Sequence, residues 1–216
     1  MQKPLILVTN DDGITAPGIR NLVEFMNELG EVVVVAPNSP QSGKGHAITI
    51  NQTLTFEEIS LEGPQTDYSL SGTPVDCVKF ALDKILDRKP DIVVSGINHG
   101  ANSSINVIYS GTMSAAVEAG VEGLQAIGFS LLDFSWDADF SQAKEYIQNI
   151  VKKVLENPLP KGVVLNVNIP KLRKDEIKRH QSLQASQRKM GRKFRRKNQP
   201  SRKKILLAHR LFQQYG

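Results

Sequence analysis

The chain has a single cysteine, Cys77, so neither a disulfide framework nor a thiolate metal cluster can be built from it. No apolar run approaches the length needed to cross a bilayer, and Met1-Gln2-Lys3-Pro4 leads straight into a strand pattern rather than a signal peptide. Both absences predict a cytoplasmic protein. Also missing is G-x-x-x-x-G-K-[ST], which leaves ATP hydrolysis of the P-loop type unsupported. No G-x-G-x-x-G turn closes a strand, which weakens a dinucleotide reading. Acidic residues are absent from residues 179–216, which hold 12 Lys and Arg. Taking those 12 from the total of 27 leaves 15 basic against 22 acidic residues in 1–178, a net charge of −7. An acidic body with a basic tail is a common mark of a nucleic-acid arm. Aromatic content of only 6%, with Phe194, Phe212 and Tyr215 alone in the tail, offers few platforms for RNA bases.

What is present begins with Leu5-Ile6-Leu7-Val8, an apolar run that ends abruptly in Thr9-Asn10-Asp11-Asp12-Gly13. A short continuous apolar run closed by turn residues predicts a strand buried on both faces, hence a parallel sheet covered by helices. Asp11 and Asp12 then lie at a strand's carboxyl end, where open α/β sheets bind their ligands. Two adjacent carboxylates repel, and a divalent cation between them relieves the repulsion. The alternative is an Asx-type turn in which Asn10 or Asp11 bonds backbone amides.

Along the chain, 17–29 has helical spacing with Pro17 near its start and Gly30 just past its end, and 32–36 is a second buried strand. Residues 37–46 form a polar loop at the same edge, so Ser42 and Gly43 can reach the first site; the alternative is a plain surface loop. Ile48, Ile50, Leu54 and Phe56 alternate with polar residues, which predicts one-sided β structure within 47–68, a hairpin added beside the main sheet. Ser71-Gly72-Thr73-Pro74 opens a helix to Leu86, with Cys77 as a small core residue. A third buried strand at 91–96 ends in Asn98-His99-Gly100-Ala101-Asn102, and Ser110-Gly111-Thr112 precedes a strong helix former. Hydroxyls and free amides at a helix start make either an anion site or an ordinary cap. A strand at 126–131, a helix at 140–155 and a strand at 163–169 complete the pattern. The fold expected is a three-layer, Rossmann-like α/β domain with a largely parallel sheet, helices on both faces and an extra β-hairpin.

Asp11, Asp12, Ser42 and Asn98 offer only oxygen ligands, which suit Mg²⁺ or Mn²⁺ better than zinc. With phosphate donors at Asn102 and 110–112, the set predicts metal-assisted phosphoryl transfer to water, Asp11 taking the water's proton. His99, in the same loop, is read as a bystander more readily than as a catalyst. Signal-receiver domains also carry an early acidic pair but need an Asp after the third strand, where this chain has Ser95-Gly96-Ile97-Asn98.

V-T-N-D-D-G at 8–13, A-P-N-S-P-Q-S-G at 36–43, S-G-T-P-V-D-C-V at 71–78, S-G-I-N-H-G-A-N at 95–102 and Y-S-G-T at 109–112 together closely resemble the SurE family. The motifs stand in the family's order and cover residues 1 to about 178. The resemblance implies a cytoplasmic nucleotidase with one divalent cation, Mg²⁺ or Mn²⁺, on Asp11, Asp12, Ser42 and Asn98. Phosphate contacts would come from Asn102, Ser110, Gly111 and Thr112, with Asp11 and Asn102 as the catalytic residues. Expected substrates are nucleoside 5′- and 3′-monophosphates, sometimes short polyphosphate. Homodimers or tetramers are implied too, with no membrane and no specific nucleic acid as partner.

Two domains of unequal kind follow: 1–178 as the SurE-like α/β phosphatase domain and 179–216 as a basic tail outside the family pattern. Where the family continues with a β-rich segment and an arm used in oligomerisation, this chain turns acid-free. Permitted codons for R-H-Q-S-L-Q-A-S at 179–186, read after dropping one nucleotide, allow Gly-Ile-Lys-Val-Cys-Arg-Gln-Ala, and the match continues in this way to residue 216. A shifted reading frame is therefore expected near the Lys178 codon. Unbalanced charge and few apolar residues predict disorder for 179–200 and leave 205–212 as a short helix. The competing functional reading is an inactive family member that keeps the metal and phosphate site and binds polyanions such as RNA through the tail.

Overall fold

The computed structural model describes residues 3–135, 137–171, 180–184 and 205–209. Leu5–Thr9 (β1) is the sheet's central strand, parallel to Glu31–Pro37 (β2) on one side and to Ile92–His99 (β5) on the other. Phe56–Ile59 (β3) and Thr66–Leu70 (β4) form the expected hairpin and join beyond β2. Ala126–Leu132 (β6) and Leu165–Pro170 (β7) extend the sheet beyond β5 in parallel. With His180–Gln184 (β8) and Ile205–His209 (β9) the order is β3-β4-β2-β1-β5-β6-β7-β9-β8. The chain runs outward from β1 in one direction through β2 and in the other through β5, so the crevice between β1 and β5 is the topological switch point. Ligands of open α/β sheets sit outside the carboxyl ends of such a pair.

Side-chain alternation on the buried strands creates two cores. Ile6 and Val8 of β1 and Ile92 and Val94 of β5 pack under Pro17–Asn27 (α1) and Lys144–Glu156 (α4). On the opposite face, Leu7 and Val93 pack under Pro74–Phe80 (α2) and Gly111–Val121 (α3). The sheet is thus covered on both sides, the expected three-layer α/β architecture. Cys77 is fully buried in the second core, and burial pushes its thiol well above the ordinary value, which removes it as a nucleophile. Across the hairpin, Arg20 of α1 reaches Asp67 of β4 at 2.6 Å, a carboxylate 1% exposed. No helix among the described residues is long and apolar enough to cross a membrane.

Three local expectations fail, the first two for identifiable reasons. The alternating stretch Ile48, Ile50 and Leu54 is not a strand. Its backbone is claimed by α2 instead: Thr49 donates from its amide and its hydroxyl to Asp76, and the Thr73 hydroxyl donates to the Ala47 carbonyl. Thr73 and Asp76 also form a reciprocal capping box, worth about 1 kcal/mol to the helix start. Secondly, the helix expected at 205–212 is strand β9 at its described residues, antiparallel to β7. An edge strand leaves a row of unpaired backbone groups, and residues 205–209 satisfy those of β7. Within 179–200, where disorder is expected, 180–184 is strand β8. The rest of the tail, 179, 185–204 and 210–216, lies outside the described residues.

Candidate active site

Asp11 emerges two residues past the end of β1, and the start of α3 comes down upon it. The Thr112 hydroxyl donates to Asp11 Oδ1 at 2.6 Å, and the Gly111 amide bonds the same carboxylate. A methyl at Gly111 would stand 2.5 Å from Asp11 Cβ and 2.8 Å from Oδ2, so only glycine lets the helix approach this closely. The carboxylate therefore occupies the positive end of the α3 dipole. Burial nonetheless dominates and pushes its pKa up to about 6; the Thr112 bond opposes the rise and the charge of Asp12 adds to it. Asp12 is half-buried and also raised, again chiefly by burial, with the nearby His99 charge pulling it back.

Asn98 is the penultimate residue of β5, on the same sheet edge as this pair, since Thr9 of β1 stands opposite Ser95 of β5. Its Nδ2 donates to the carbonyls of His99 at 2.9 Å and Gly100 at 3.1 Å. Both amide protons are thereby used, which fixes the side chain and leaves Oδ1 as a donor of electron pairs. Ser42 is exposed, and its neighbour Gln41 is bonded by its amide to the Asp11 carbonyl at 2.7 Å. The far end of this loop is tied by His46, whose Nε2 lies 2.7 Å from Glu118 Oε2 on α3. Glu118, 5% exposed, also receives Lys79 of α2 at 2.7 Å. The loop is anchored at both ends, not free.

Three of the expected phosphate contacts, Ser110, Gly111 and Thr112, stand at the α3 start, and the fourth, Asn102, is held against β6 and β7. Ser110 caps the helix by accepting from the Met113 amide at 3.0 Å, so the ordinary-cap reading holds, while its hydroxyl proton remains available to donate. Gly111 and Thr112 are engaged by Asp11, as above. The Thr112 amide lies in the first turn, where helix amides have no intrahelical acceptor. Asn102 is buried and held from three sides. Its amide donates to Asn168 Oδ1 at 2.9 Å, its carbonyl accepts from Asn166 Nδ2 at 2.6 Å, and its own Nδ2 donates to the Ser130 hydroxyl at 3.0 Å. Asn168 Nδ2 in turn bonds Asn166 Oδ1. Ser130, Asn166 and Asn168 escape the sequence reading, although an Asn-x-Asn pair inside an apolar strand was a legible sign of a buried polar network. Glu118 was equally overlooked.

Among the described residues no three of His, Cys, Asp and Glu come together as a metal cluster. A cation here would rest on two carboxylates completed by neutral oxygens, a donor set for a hard ion. Two features fit one. Burial raises both carboxyls, so their ionised forms lack a compensating charge. Close by, Asn10 Oδ1 and Ser95 Oγ are buried without a hydrogen-bond partner. The residues at the β1–β5 crevice therefore suit a divalent cation beside an anion held at the α3 start.

The family model described as Survival protein SurE matches residues 6–192. A protein of Christiangramia forsetii named 5′-nucleotidase SurE is 69% identical over 179 residues, covering 82% of this chain and 69% of the relative. One of Flavobacterium johnsoniae with the same name is 68% identical over 178 residues, covering 82% and 69%. The crystal structure of the SurE protein from Aquifex aeolicus superposes with a TM-score of 0.77 at 41% identity, over 84% of this chain and 72% of that one. With the sheet order, the carboxylate pair under α3 and these matches in agreement, the chain belongs to the SurE family.

Proposed function

We propose that the chain hydrolyses nucleoside 5′-monophosphates to nucleoside and phosphate, with a divalent cation held by Asp11, Asp12, Ser42 and Asn98. The observation that supports this most is the buried Asp11 carboxylate clasped by the amino terminus of α3. A proton acceptor beside amides and a hydroxyl is an arrangement suited to a phosphate. Names of the relatives supply the substrate class.

When bound, the cation supplies Lewis acidity to the phosphate oxygens and fixes a water near them. The chain's own residues do the rest. Ser110, through its hydroxyl, and the Thr112 amide donate to the phosphate, with Asn102 held rigid against β6 and β7 as a third contact. Gly111 lets α3 sit close enough for this. Asp11 takes the proton of the attacking water; the water oxygen bonds to phosphorus, and the ester oxygen leaves with its electron pair and receives that proton from Asp11, which restores the carboxylate. Short polyphosphate and the 3′-monophosphates belong to the same reading, since the site grips the phosphate rather than the alcohol. The protein is read as cytoplasmic and as a homodimer or tetramer.

Phosphate release from 5′- and 3′-monophosphates, with Mg²⁺, Mn²⁺ or chelator, tests the assignment. Turnover is expected with either cation and none with chelator, and Asp12→Asn should abolish it. Activity that survives both chelator and Asp12→Asn would overturn the cation set. Tail binding to RNA without any turnover would favour the inactive reading.

A further inference from the structure

Phe134 is 80% exposed, the most exposed large apolar side chain among the described residues. It is not at a random place. β6 ends at Leu132 beside β5, with Leu131 opposite His99, so residues 133–135 overhang the loop that carries Asn98 and Asn102. The Gly100 amide is bonded to the Leu131 carbonyl at 2.8 Å. A methyl built on Gly100 would stand 2.1 Å from Phe134 Cε1 and 2.5 Å from Cζ, so the ring lies directly on this glycine. Gly100 has φ +79°, a second reason for a residue without a side chain.

The turn that presents the ring is braced. Asp133 is buried, pairs with Lys171 at 2.8 Å and accepts from the Ser135 amide at 3.1 Å. One edge of Phe134 is thus pinned to the site loop while most of its surface faces water. A bare aromatic ring held in a defined orientation at the rim of a phosphate site has the form of a stacking platform, because every nucleobase offers a π-face.

Resting on the nucleotidase reading above, the geometry points to Phe134 as the nucleobase platform of the substrate site, a specificity-determining residue that favours nucleotides over other phosphomonoesters. The phosphate sits at the start of α3, the ribose spans the crevice over the 98–102 loop, and the base lies on the outer face of the Phe134 ring. Sequence patterning has no reason to single out this residue, since nothing around it forms a motif.

The test compares 5′-AMP with ribose 5-phosphate, which lacks a base, in the wild type, Phe134→Ala and Phe134→Trp. Stacking of this kind predicts that Phe134→Ala raises KM for 5′-AMP about tenfold with kcat little changed, leaves ribose 5-phosphate unaffected, and that Phe134→Trp keeps the preference. An equal loss on both substrates would mean that the ring only covers Gly100, and would overturn the proposal, as would no change on either. Binding of adenosine, followed by saturation transfer to its base protons, reads the platform without turnover. It should be seen for the wild type and be lost in Phe134→Ala; no signal from the wild type, or equal signals, would overturn the platform. A wild type that hydrolyses no phosphomonoester but passes the adenosine test would sink the nucleotidase reading and leave the base platform standing.

Discussion

The Thr112 hydroxyl and the Asp11 carboxylate meet at 2.6 Å across 101 residues of chain. This bond joins the end of the central strand to the start of α3, and so, under the proposed function, the cation side of the site to its phosphate side. It favours the ionised carboxylate against the burial that disfavours it. Thr112→Val removes the donor at nearly constant volume and lets the pKa of Asp11 climb further. In chelator, the titration of the Asp11 carboxyl followed by NMR should move up by about one pH unit, the worth of one hydrogen bond to a charged group. Thr112→Ser should bring it back. A titration unchanged by Thr112→Val would show that the hydroxyl does not bond this carboxylate.

Asp11 also makes a prediction about stability. Its folded pKa of about 6 lies above the ordinary 3.8. Below pH 3.8 both folded and unfolded chains hold the proton and no penalty exists. Between 3.8 and 6 the unfolded chain releases it first, so stability falls as pH rises, and above 6 the full penalty of about 3 kcal/mol remains. In chelator, Asp11→Asn should therefore be more stable than the wild type at pH 7 to 8, with the gap closing as pH falls towards 4. Urea midpoints measured across that range decide it; a gap independent of pH would contradict the assignment.

At Gly111 a single methyl is expected to disable the site without unfolding the protein. The clash in Gly111→Ala falls on the Cβ and Oδ2 of Asp11, not on a flexible side-chain tip. Displacing a catalytic carboxylate by about 1 Å costs on the order of a hundredfold in rate. The expected outcome is that loss in kcat with a far-ultraviolet spectrum like the wild type's. Full activity would mean that α3 does not approach Asp11 as closely as described.

Glu118 links three elements, His46 of the Ser42 loop, Lys79 of α2 and α3 itself. Burial works to raise its pKa, but the bonds from Lys79 and His46 outweigh it and hold the carboxyl below its usual 4.5. Its contribution is thus present above pH 4.5 and is lost as pH falls through the lowered folded value. Glu118→Ala should cost about 2 kcal/mol in urea unfolding near neutral pH. It should also weaken the apparent affinity for Mg²⁺ in turnover, since the Ser42 loop loses its far anchor. A stability loss with unchanged cation affinity would leave Glu118 a purely structural residue.

For the tail, the proposal of a shifted reading frame near the Lys178 codon is checked on the coding DNA of close relatives, where a single-base insertion or deletion is expected. A chain with the frame restored is expected to elute as a dimer or larger in light scattering. Polyanion binding by the basic tail should weaken steeply as salt rises, the mark of counterion release rather than specific recognition. Coding DNA in register with its relatives throughout would remove the frame proposal.

Much of the fold was legible in the sequence because its signals are local. Three short apolar runs closed by turn residues, Pro17 at a helix start and the Thr73-Pro74 cap are each decided by neighbours within a few residues, and each became the expected element. Alternation at Ile48, Ile50 and Leu54 misled because period-two patterning reports exposure on one side, not the presence of a partner strand; Asp76 took the backbone that a strand would have offered. Residues 205–209 carry no helix-specific signal strong enough to compete with the open edge of β7. At the site, the sequence by itself determined which chemistry the strand ends carry: two carboxylates, amide and hydroxyl oxygens, and a capped helix start. Only the tertiary structure decided that Gly111 and Thr112 hold Asp11, that Asn166 and Asn168 hold Asn102, and that Phe134 overhangs Gly100. Those contacts join residues from 34 to 101 positions apart wherever the chain path is set by sheet order, and sheet order is fixed by the packing of two whole cores, which no local pattern encodes.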